Sequence, residues 1–298
     1  LYESENVHAR YIATNSEYSS KLYILYSSQL FAFEQGDSHT VRGYGNVAAR
    51  DWYMELPDVV RRIVDQAGFG AFCKGLSCLT ASRPLLAALV ERWWAPTDSF
   101  HFSVAGDMTM TPYDFSMLTG IGVGGDPIPF DTDMDEWEAA QIYLLGEVPP
   151  LAHPGFVRYS WFEVQFRVQP ALVEEALMTQ EAVERYARGF LMFLLGTTIF
   201  ADRANTVPLC LLSALVDVSR ILHYDWGGAA LATLYGYMSS ASRCSGQLLG
   251  GYWRAWEVRF LLCFSFLLYI FSSLYTAHTV VCFILIVYWT YGTHIYPT

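Results

Sequence analysis

The chain has 298 residues, of which 53% are hydrophobic, 16% aromatic and 16% charged, and its formal net charge is −11. The apolar content is enough for a sizeable core, and the low fraction of charged residues argues against a disordered chain. The acidic balance disfavours direct nucleic-acid binding, because a negative surface repels phosphate. Six scattered cysteines without a Cys-x-x-Cys pair predict reduced thiols rather than a disulfide framework or a zinc site.

Two helices and a small β-hairpin are predicted after residues 1–55, a segment that gives no clear assignment. The first helix begins at Pro57 and ends near Gly68, and the second runs from Pro84 to Trp94, both on helical apolar spacing. Apolar and polar residues then alternate from Ser99 to Val104, which is strand periodicity. Gly106-Asp107 is a suitable hairpin turn into Met108–Met110.

A capped helix and a glycine-rich loop follow the hairpin. Thr111 with Asp114 three residues later is a capping pattern, and Gly120 would end this short helix. Residues 120–125 fit Gly-x-Gly-x-x-Gly, but a dinucleotide site needs a strand before that motif and a helix after it. Here a helix precedes it and Asp126-Pro127 follows, so the pattern predicts a mobile loop.

Residues 121–170 are predicted to be mostly loop, with one helix near Glu136–Leu145. Alternating carboxylates from Asp131 match the opening of a calcium-binding EF-hand loop. That loop needs glycine at its sixth position and glutamate at its twelfth, where this sequence has Glu136 and Ile142. The spacing therefore predicts an acidic helix start, which the helix dipole favours.

The second half of the chain gives stronger helical patterns. A long helix is predicted from Thr179, with the pairs Glu181–Arg185 and Glu184–Arg188 on its solvent side and Gly196 as its cap. A turn at Asp202–Asn205 follows. Later helices are predicted from Pro208 through Leu222, over Trp226–Ser240 and around Leu248–Arg259.

The C-terminal run has two open interpretations. Residues 260–298 contain no Asp, Glu, Lys or Arg, and residues 260–291 are long and apolar enough for a membrane-spanning helix with interfacial aromatic residues. The alternative is that this run is not a native membrane element, since a mispredicted exon or a read-through intron produces similar sequence.

No catalytic, cofactor-binding or metal-binding motif is predicted. The chain has two lysines, Lys21 and Lys74, and neither lies in a glycine- or serine-rich context that would suit a pyridoxal-phosphate enzyme. The tryptophans are predicted to be core or interface anchors. Asp202 and Asp225 are predicted to cap helices or to pair with arginine.

Several ordered stretches resemble the plant mobile domain family, also called the aminotransferase-like plant mobile domain. Each stretch alone matches the family only weakly, but the order and spacing of the stretches over about residues 56–258 are specific to it. They are Ala67–Phe72, Leu85–Trp93, Ser99–Pro127, Phe193–Asp202, Val207–Leu209, Tyr224–Ala232 and Trp253–Glu257.

The resemblance implies a non-catalytic nuclear protein, since the family carries no accepted catalytic residues and the lysine count agrees. The family occurs in plant transposable elements and in nuclear proteins similar to MAINTENANCE OF MERISTEMS, which are implicated in transposon silencing, genome integrity and meristem maintenance. Some relatives work with, or are fused to, a serine/threonine protein phosphatase of type seven. Protein partners are therefore expected.

The predicted fold is mainly α: a single helical domain at 56–258 with a small β-hairpin, followed by an apolar C-terminal helical segment at 259–298. Two other hypotheses stay open, a tail-anchored membrane protein with a cytosolic helical domain and an enzyme of unrecognised type. The candidate structural or interaction residues are Trp93, Phe102, Asp202, Asp225, Trp226 and Trp256.

Overall fold

A computed structural model describes residues 42–43, 48–76, 83–102, 106–167, 178–243 and 248–260. Within them the protein is mostly helical with small β-sheets, which confirms the predicted fold class. The described residues of 42–101 and 107–257 belong to one compact unit, and Phe102, Gly106 and 258–260 group with a second. No helix in the described ranges is long and apolar enough to cross a membrane. The predicted span at 260–291 falls, beyond its first residue, outside those ranges.

The α-helices are α1 Ala48–Glu55, α2 Asp58–Gln66, α3 Gly70–Gly75, α4 Arg83–Arg92, α5 Pro112–Thr119, α6 Glu138–Leu145, α7 Tyr159–Phe166, α8 Gln180–Thr197 and α9 Trp226–Arg243, and residues 254–260 are also helical. The 3₁₀ segments are Thr132–Asp135, Leu209–Leu215 and Ile221–His223. The strands are β1 Arg42–Gly43, β2 Trp93–Trp94, β3 Ser99–Phe102, β4 Gly106–Met108, β5 Leu151–His153, β6 Phe156–Arg158, β7 Thr206–Pro208 and β8 Leu248–Leu249.

Helix α8 is the centre of the core. Every residue from Ala187 to Thr197 is buried, because α1, α2, α6, α7 and β7 surround it. Trp52 of α1 packs edge-on against Phe190 and Phe193, with ring centroids 5.3 and 4.9 Å apart. Aromatic pairs in this geometry stabilise the core beyond the area that they bury.

An ion-pair network joins α1 to α7. The Arg167 guanidinium donates to both carboxylate oxygens of Glu55 at 2.8 and 2.9 Å and to Glu163 at 2.6 Å. The bidentate geometry fixes the relative position of the two helix ends. The hydrogen bond from Arg167 lowers the pKa of the Glu55 carboxyl, against the opposing effect of its partial burial.

Three small sheets connect segments that are distant in sequence. One sheet has the order β2-β3-β4, a second has the order β5-β6-β7, and β1 pairs in parallel with β8. Trp93 pairs with Phe100 in the first, and Val157 pairs with Val207 in the second. The predicted hairpin is therefore extended by an additional strand, β2, and Gly106-Asp107 lies inside β4 rather than in the turn.

Local helix signals are confirmed where a side chain closes the helix end. The Thr111 hydroxyl accepts the Asp114 N–H, and the Asp114 carboxylate accepts the Thr111 N–H, so the capping box is complete. Gly120 ends α5 in the left-handed conformation with φ 74°. Thr179 caps α8 by accepting the Ala182 N–H.

Two predicted helical segments have a different structure. Trp93 and Trp94 leave α4 and form β2, because pairing with β3 buries Trp93. The segment from Pro208 to Leu222 is not one helix. Pro208 is extended and pairs in β7, Leu209–Leu215 is 3₁₀, and Asp217 ends the pattern by accepting the Ser219 hydroxyl and N–H.

The helix predicted around Leu248–Arg259 is also shorter. Leu248–Leu249 form β8, and the helical residues begin at 254. Backbone pairing of β8 with Arg42–Gly43 holds this segment extended. Pairing with such a distant segment depends on tertiary structure, so helical spacing alone could not predict it.

The polar side of α8 also differs from its prediction. Glu184 pairs with Arg188 at 2.9 Å, but Arg188 is buried rather than solvent-facing. Its guanidinium donates to the Leu215 and Val216 carbonyls at 2.8 and 3.0 Å, so it closes the end of the 3₁₀ segment. The predicted pair between Glu181 and Arg185 is not among the ion pairs of the described residues.

Gly196 lies within the last turn of α8 rather than at its cap, which is Thr198. A Cβ atom at Gly196 would lie 2.7 Å from Cβ of Val207 and 3.4 Å from Cβ of Tyr159. Close packing against β7 and α7 therefore explains this glycine.

Candidate functional site

Two of the candidate tryptophans, Trp93 and Trp256, meet in one largely buried aromatic cluster beside α9. Trp93 and Trp256 lie with ring centroids 5.8 Å apart, and Phe100 packs edge-on against Trp256 at 4.7 Å. Tyr235 of α9 stacks on Trp256 at 6.1 Å with an interplanar angle of 15°. The cluster joins the β2-β3 edge, α9 and the start of the last helical segment.

Hydrogen bonds fix the orientation of this cluster. Trp93 Nε1 donates to Ser239 Oγ at 2.9 Å, and the Tyr235 hydroxyl donates to the Met110 carbonyl. Trp256 Nε1 is buried and has no hydrogen-bond partner among the described residues. Trp93, Phe100 and Trp256 are buried and Tyr235 is partly buried, so the two tryptophans contribute to packing.

Two other candidates, Asp225 and Trp226, lie where the glycine-rich loop meets the start of α9. We call this part the loop–helix junction, and it comprises residues 122–126 and 223–228. Asp225 Oδ1 accepts the Gly228 N–H at 2.8 Å, as a helix N-cap does, and the Gly124 N–H at 2.9 Å. Trp226 is buried, and its Nε1 donates to the Ile221 carbonyl at 2.8 Å.

Backbone hydrogen bonds hold the glycine-rich loop against this junction. The Asp126 N–H donates to the His223 carbonyl at 2.8 Å, and the Asp225 N–H donates to the Asp126 carbonyl at 2.9 Å. The Gly227 N–H donates to the Gly122 carbonyl at 2.9 Å. Together with the Asp225 side chain, these bonds tie the loop predicted to be mobile to the first turn of α9.

Asp202 closes a turn rather than a helix. Its carboxylate accepts the Thr206 N–H at 3.1 Å and the Thr206 hydroxyl at 2.9 Å, immediately before β7. Burial, and secondarily the Asp202 charge, raises the pKa of the Tyr159 and Tyr237 hydroxyls. Phe102 lies in β3 by its backbone, and its side chain is outside the described part of the structure.

The pKa shifts of two other groups, Cys73 and Tyr53, are caused mainly by burial. Burial raises the pKa of the Cys73 thiol, and neither Cys73 nor Cys210 forms a disulfide bond within the described residues. Burial, and then a 2.6 Å hydrogen bond to Asp65, raises the pKa of the Tyr53 hydroxyl. Among the described residues, no three His, Cys, Asp or Glu side chains converge as metal ligands would.

Sequence patterns missed a set of large apolar side chains that face solvent. Two are on α5, at Tyr113 and Met117, and more lie on and before α6, beginning at Phe130. Helix α6 has apolar residues on both of its sides, which is the available signal, since a surface helix normally has one apolar stripe. Among the residues that the structure describes, the set is Met54, Trp94, Tyr113, Met117, Phe130, Trp137, Ile142, Tyr143, Val148, Leu151, Val164, Val216 and Leu222.

Comparison with known proteins identifies relatives of the chain. Residues 69–293 match the family model described as the plant mobile domain. The chain is 35% identical over 204 residues, 67% of its length, to Protein MAIN-LIKE 2 of Arabidopsis thaliana. It is 33% identical over 193 residues, 63% of its length, to Protein MAINTENANCE OF MERISTEMS of the same plant.

A third relative bears an enzyme's name. The Serine/threonine-protein phosphatase 7 long form homolog of Arabidopsis thaliana is 29% identical over 217 residues, 70% of this chain and 15% of that protein. The alignments cover 29% of MAIN-LIKE 2 and 39% of MAINTENANCE OF MERISTEMS, so the chain spans only a minor part of these curated relatives. No solved structure gives a significant match.

Proposed function

The chain belongs to the plant mobile domain family, as its sequence resemblance predicted, and from that premise we propose that it is a non-catalytic protein-interaction module of the plant nucleus. In this proposal it acts in transposon silencing, genome integrity and meristem maintenance, or it is a transposon-derived copy of such a module. The name of its relative Protein MAINTENANCE OF MERISTEMS supports the meristem part of the first role.

One structural observation carries the interaction role. The two charged candidate residues make hydrogen bonds within the protein: Asp225 caps α9, and Asp202 closes the turn before β7. Large apolar side chains, including Trp137 and Tyr143, face solvent instead. A contact surface is the use that such exposed aromatic residues serve most directly.

We further propose a phosphatase of type seven as a protein partner. The support is that a phosphatase homolog of that type aligns with 70% of this chain. A region shared between this chain and a protein named for a type-seven phosphatase makes that class of phosphatase a candidate partner. This support concerns the class of partner and leaves the contact residues to experiment.

The test uses the tagged full-length chain in plant cells. Nuclear, cytosolic and membrane fractions are separated, and a proximity-labelling enzyme on the tag identifies neighbouring proteins. Nuclear enrichment with labelling of a type-seven phosphatase is the expected result. Recovery in the membrane fraction would overturn the nuclear assignment and favour an anchor within residues 260–291.

A second measurement separates the host role from a transposon-derived copy. The gene is disrupted in the plant that encodes it, and transposon transcripts and meristem size are measured. Increased transcripts and smaller meristems are expected for a host silencing module. Unchanged transcripts and meristems would support a copy without a host role.

A further inference from the structure

The surface around α6 presents aromatic side chains between carboxylates. Four large side chains there are about half exposed or more: Phe130 at 53%, Trp137 at 55%, Ile142 at 50% and Tyr143 at 70%. With the exposed Glu136 and Glu138, they form what we call the acidic aromatic face. Within α6, Gln141, Leu144 and Leu145 are buried, whereas Glu138, Ile142 and Tyr143 are exposed, so the exposed side of the helix faces solvent.

Buried hydrogen bonds hold this face in one arrangement. The Gln141 side chain donates to the Met134 carbonyl at 2.8 Å, which ties α6 to the preceding 3₁₀ turn. The Ser213 hydroxyl donates to the Pro129 carbonyl at 2.7 Å and accepts the Asp131 N–H at 3.3 Å. The face is therefore attached to the 3₁₀ segment Leu209–Leu215 at one end and to α8 beneath it.

The charge of this region has one sign. Residues 126–152 contain seven Asp and Glu and no Lys, Arg or His. Arg220 neutralises Asp126 at 3.1 Å, and the Arg185 side chain packs against Gly146 at the far end of α6. None of the ion pairs in the described part of the chain involves Glu136 or Glu138.

Aromatic rings beside carboxylates select guanidinium groups. Arginine stacks on tryptophan and tyrosine faces through cation–π attraction, and it pairs with carboxylates through its planar fork. Lysine is more strongly hydrated and pairs as a point charge. A nucleic acid, an anionic membrane or a second copy of this chain, whose net charge is also −11, would meet repulsion here.

We propose that the acidic aromatic face binds an arginine-bearing segment of a partner protein, with arginines placed over Trp137 and Tyr143 and paired with Glu136 and Glu138. This inference rests on the proposed function as a protein-interaction module. It adds the location of one contact surface and the chemistry of the segment that binds it.

The test measures binding of a fluorescein-labelled peptide, in which arginine alternates with leucine and serine, to the full-length chain by fluorescence anisotropy. Replacing both aromatic residues, Trp137→Ala with Tyr143→Ala, should weaken binding about tenfold or more, the scale of two cation–π contacts. Glu136→Gln with Glu138→Gln should weaken it and flatten its salt dependence. Replacing every arginine of the peptide by lysine should weaken binding to the wild-type chain several-fold.

Matched controls separate the face from general attraction to an acidic protein. Tyr113→Ala and Val164→Ala remove side chains that are 68% and 71% exposed elsewhere, and both should leave peptide binding unchanged. All six altered residues are exposed, so thermal unfolding should show an intact fold. Equal weakening by control and face variants, or equal binding of the lysine peptide, would overturn the proposal. Absence of binding to the wild-type chain would overturn it as well.

The inference and the proposed function fail in different ways. A chain that labels no neighbouring protein in nuclei refutes the interaction module itself. A chain that labels the same partners with Trp137→Ala and Tyr143→Ala as without them keeps its interaction role, and only the assignment to the acidic aromatic face is lost. Loss of particular partners in the double variant, together with the peptide result, supports both.

Discussion

Replacing Asp225 by alanine should destabilise the protein by removing the N-cap of α9. The Gly228 N–H, at 2.8 Å from Oδ1, loses its acceptor, and the cap together with the favourable helix-dipole charge contributes about 1–3 kcal/mol. The second donor, Gly124 N–H, is exposed, so water replaces the carboxylate there at little cost. For a domain of this size the melting temperature should fall by about 3–9 °C.

A double-mutant cycle makes this prediction sharper. A Cβ atom at Gly228 would lie 2.2 Å from Oδ2 of Asp225, so Gly228→Ala should destabilise the wild-type protein by displacing the cap. In the Asp225→Ala background that contact is gone. There Gly228→Ala should stabilise α9 by about 0.5–1 kcal/mol, the helix-propensity difference between alanine and glycine.

Urea denaturation followed by circular dichroism measures both variants and their combination. Asp225→Asn is the matched control, because the asparagine oxygen still caps the helix, and its unfolding free energy should stay close to that of the wild type. A free energy unchanged by Asp225→Ala, or lowered equally by Asp225→Asn, would refute the capping account. Gly228→Ala keeping the same sign in both backgrounds would refute the steric one.

Three other changes test the core and the junction. Arg188→Met should lower the free energy of unfolding by about 2–5 kcal/mol, because two backbone carbonyls and a carboxylate lose a buried cation. Glu55→Gln should lower the melting temperature slightly at neutral pH, with an effect of at most about 1 kcal/mol because Glu55 is largely exposed. Gly125→Ala should strongly destabilise the junction, since its φ is +110° and a Cβ atom would lie 2.3 Å from the His223 carbonyl oxygen.

The Glu55 effect has a defined pH dependence. The pKa of Glu55 is lower in the folded protein than in the unfolded chain, so its ion pair with Arg167 stabilises above the unfolded pKa of about 4.3. That stabilisation is lost as pH falls through the folded pKa. Melting curves of the wild type and Glu55→Gln should therefore converge under acid conditions, and a difference that persists or grows there would contradict the sign.

For Arg188→Met and Gly125→Ala, control substitutions show whether the loss of stability comes from the named contact or from any substitution at that site. Arg188→Lys keeps the charge but cannot reach both carbonyls with one planar fork, so it should recover only part of the stability lost in Arg188→Met. Full recovery would mean that charge alone matters. Gly124→Ala has open space around its Cβ position and should cost less than Gly125→Ala, although its φ of +83° also carries strain.

The sequence predicted helix ends best where the signal is local. Thr111, Asp114 and Gly120 form a cap from residues within one turn of each other, so their spacing alone suffices. The segment after Pro208 does not form the predicted helix: its leucines are buried in a 3₁₀ segment that contacts α8 and the 3₁₀ turn Thr132–Asp135. Arg188 was placed in solvent because its carbonyl partners lie 27 and 28 residues further along the chain.

For the candidate residues, too, local contacts could be predicted from the sequence and contacts between distant segments could not. The capping role expected for Asp225 follows from the helix that begins beside it, whereas its contact with Gly124 joins residues 101 positions apart. The grouping of Trp93 with Trp256 depends on the whole course of α9. The apolar residues on both sides of α6 signal an exposed apolar face, but periodicity does not tell which of the two sides the helix buries. The predicted boundary at residue 258 stays a prediction, and the family match continues to residue 293.

The glycine-rich loop has a physical explanation that does not involve a nucleotide. In a dinucleotide site, glycines let the backbone approach a pyrophosphate at a helix N-terminus. Here, Gly125 lets the loop approach the His223 carbonyl, and a Cβ atom at Gly227 would lie 2.6 Å from the Gly122 carbonyl oxygen. The N-terminus of α9 is also capped already, by Asp225.

Glycine therefore allows a close contact between two backbone segments of the same chain, in place of a contact with phosphate. A phosphate would have to displace the Asp225 carboxylate, whose charge it shares, and the loop bonded to it. This arrangement predicts that Asp225→Asn, which removes the repelling charge but keeps the cap, still gives no measurable ATP or NAD binding by calorimetry. Binding by that variant would show that the junction is a masked nucleotide site rather than a structural joint.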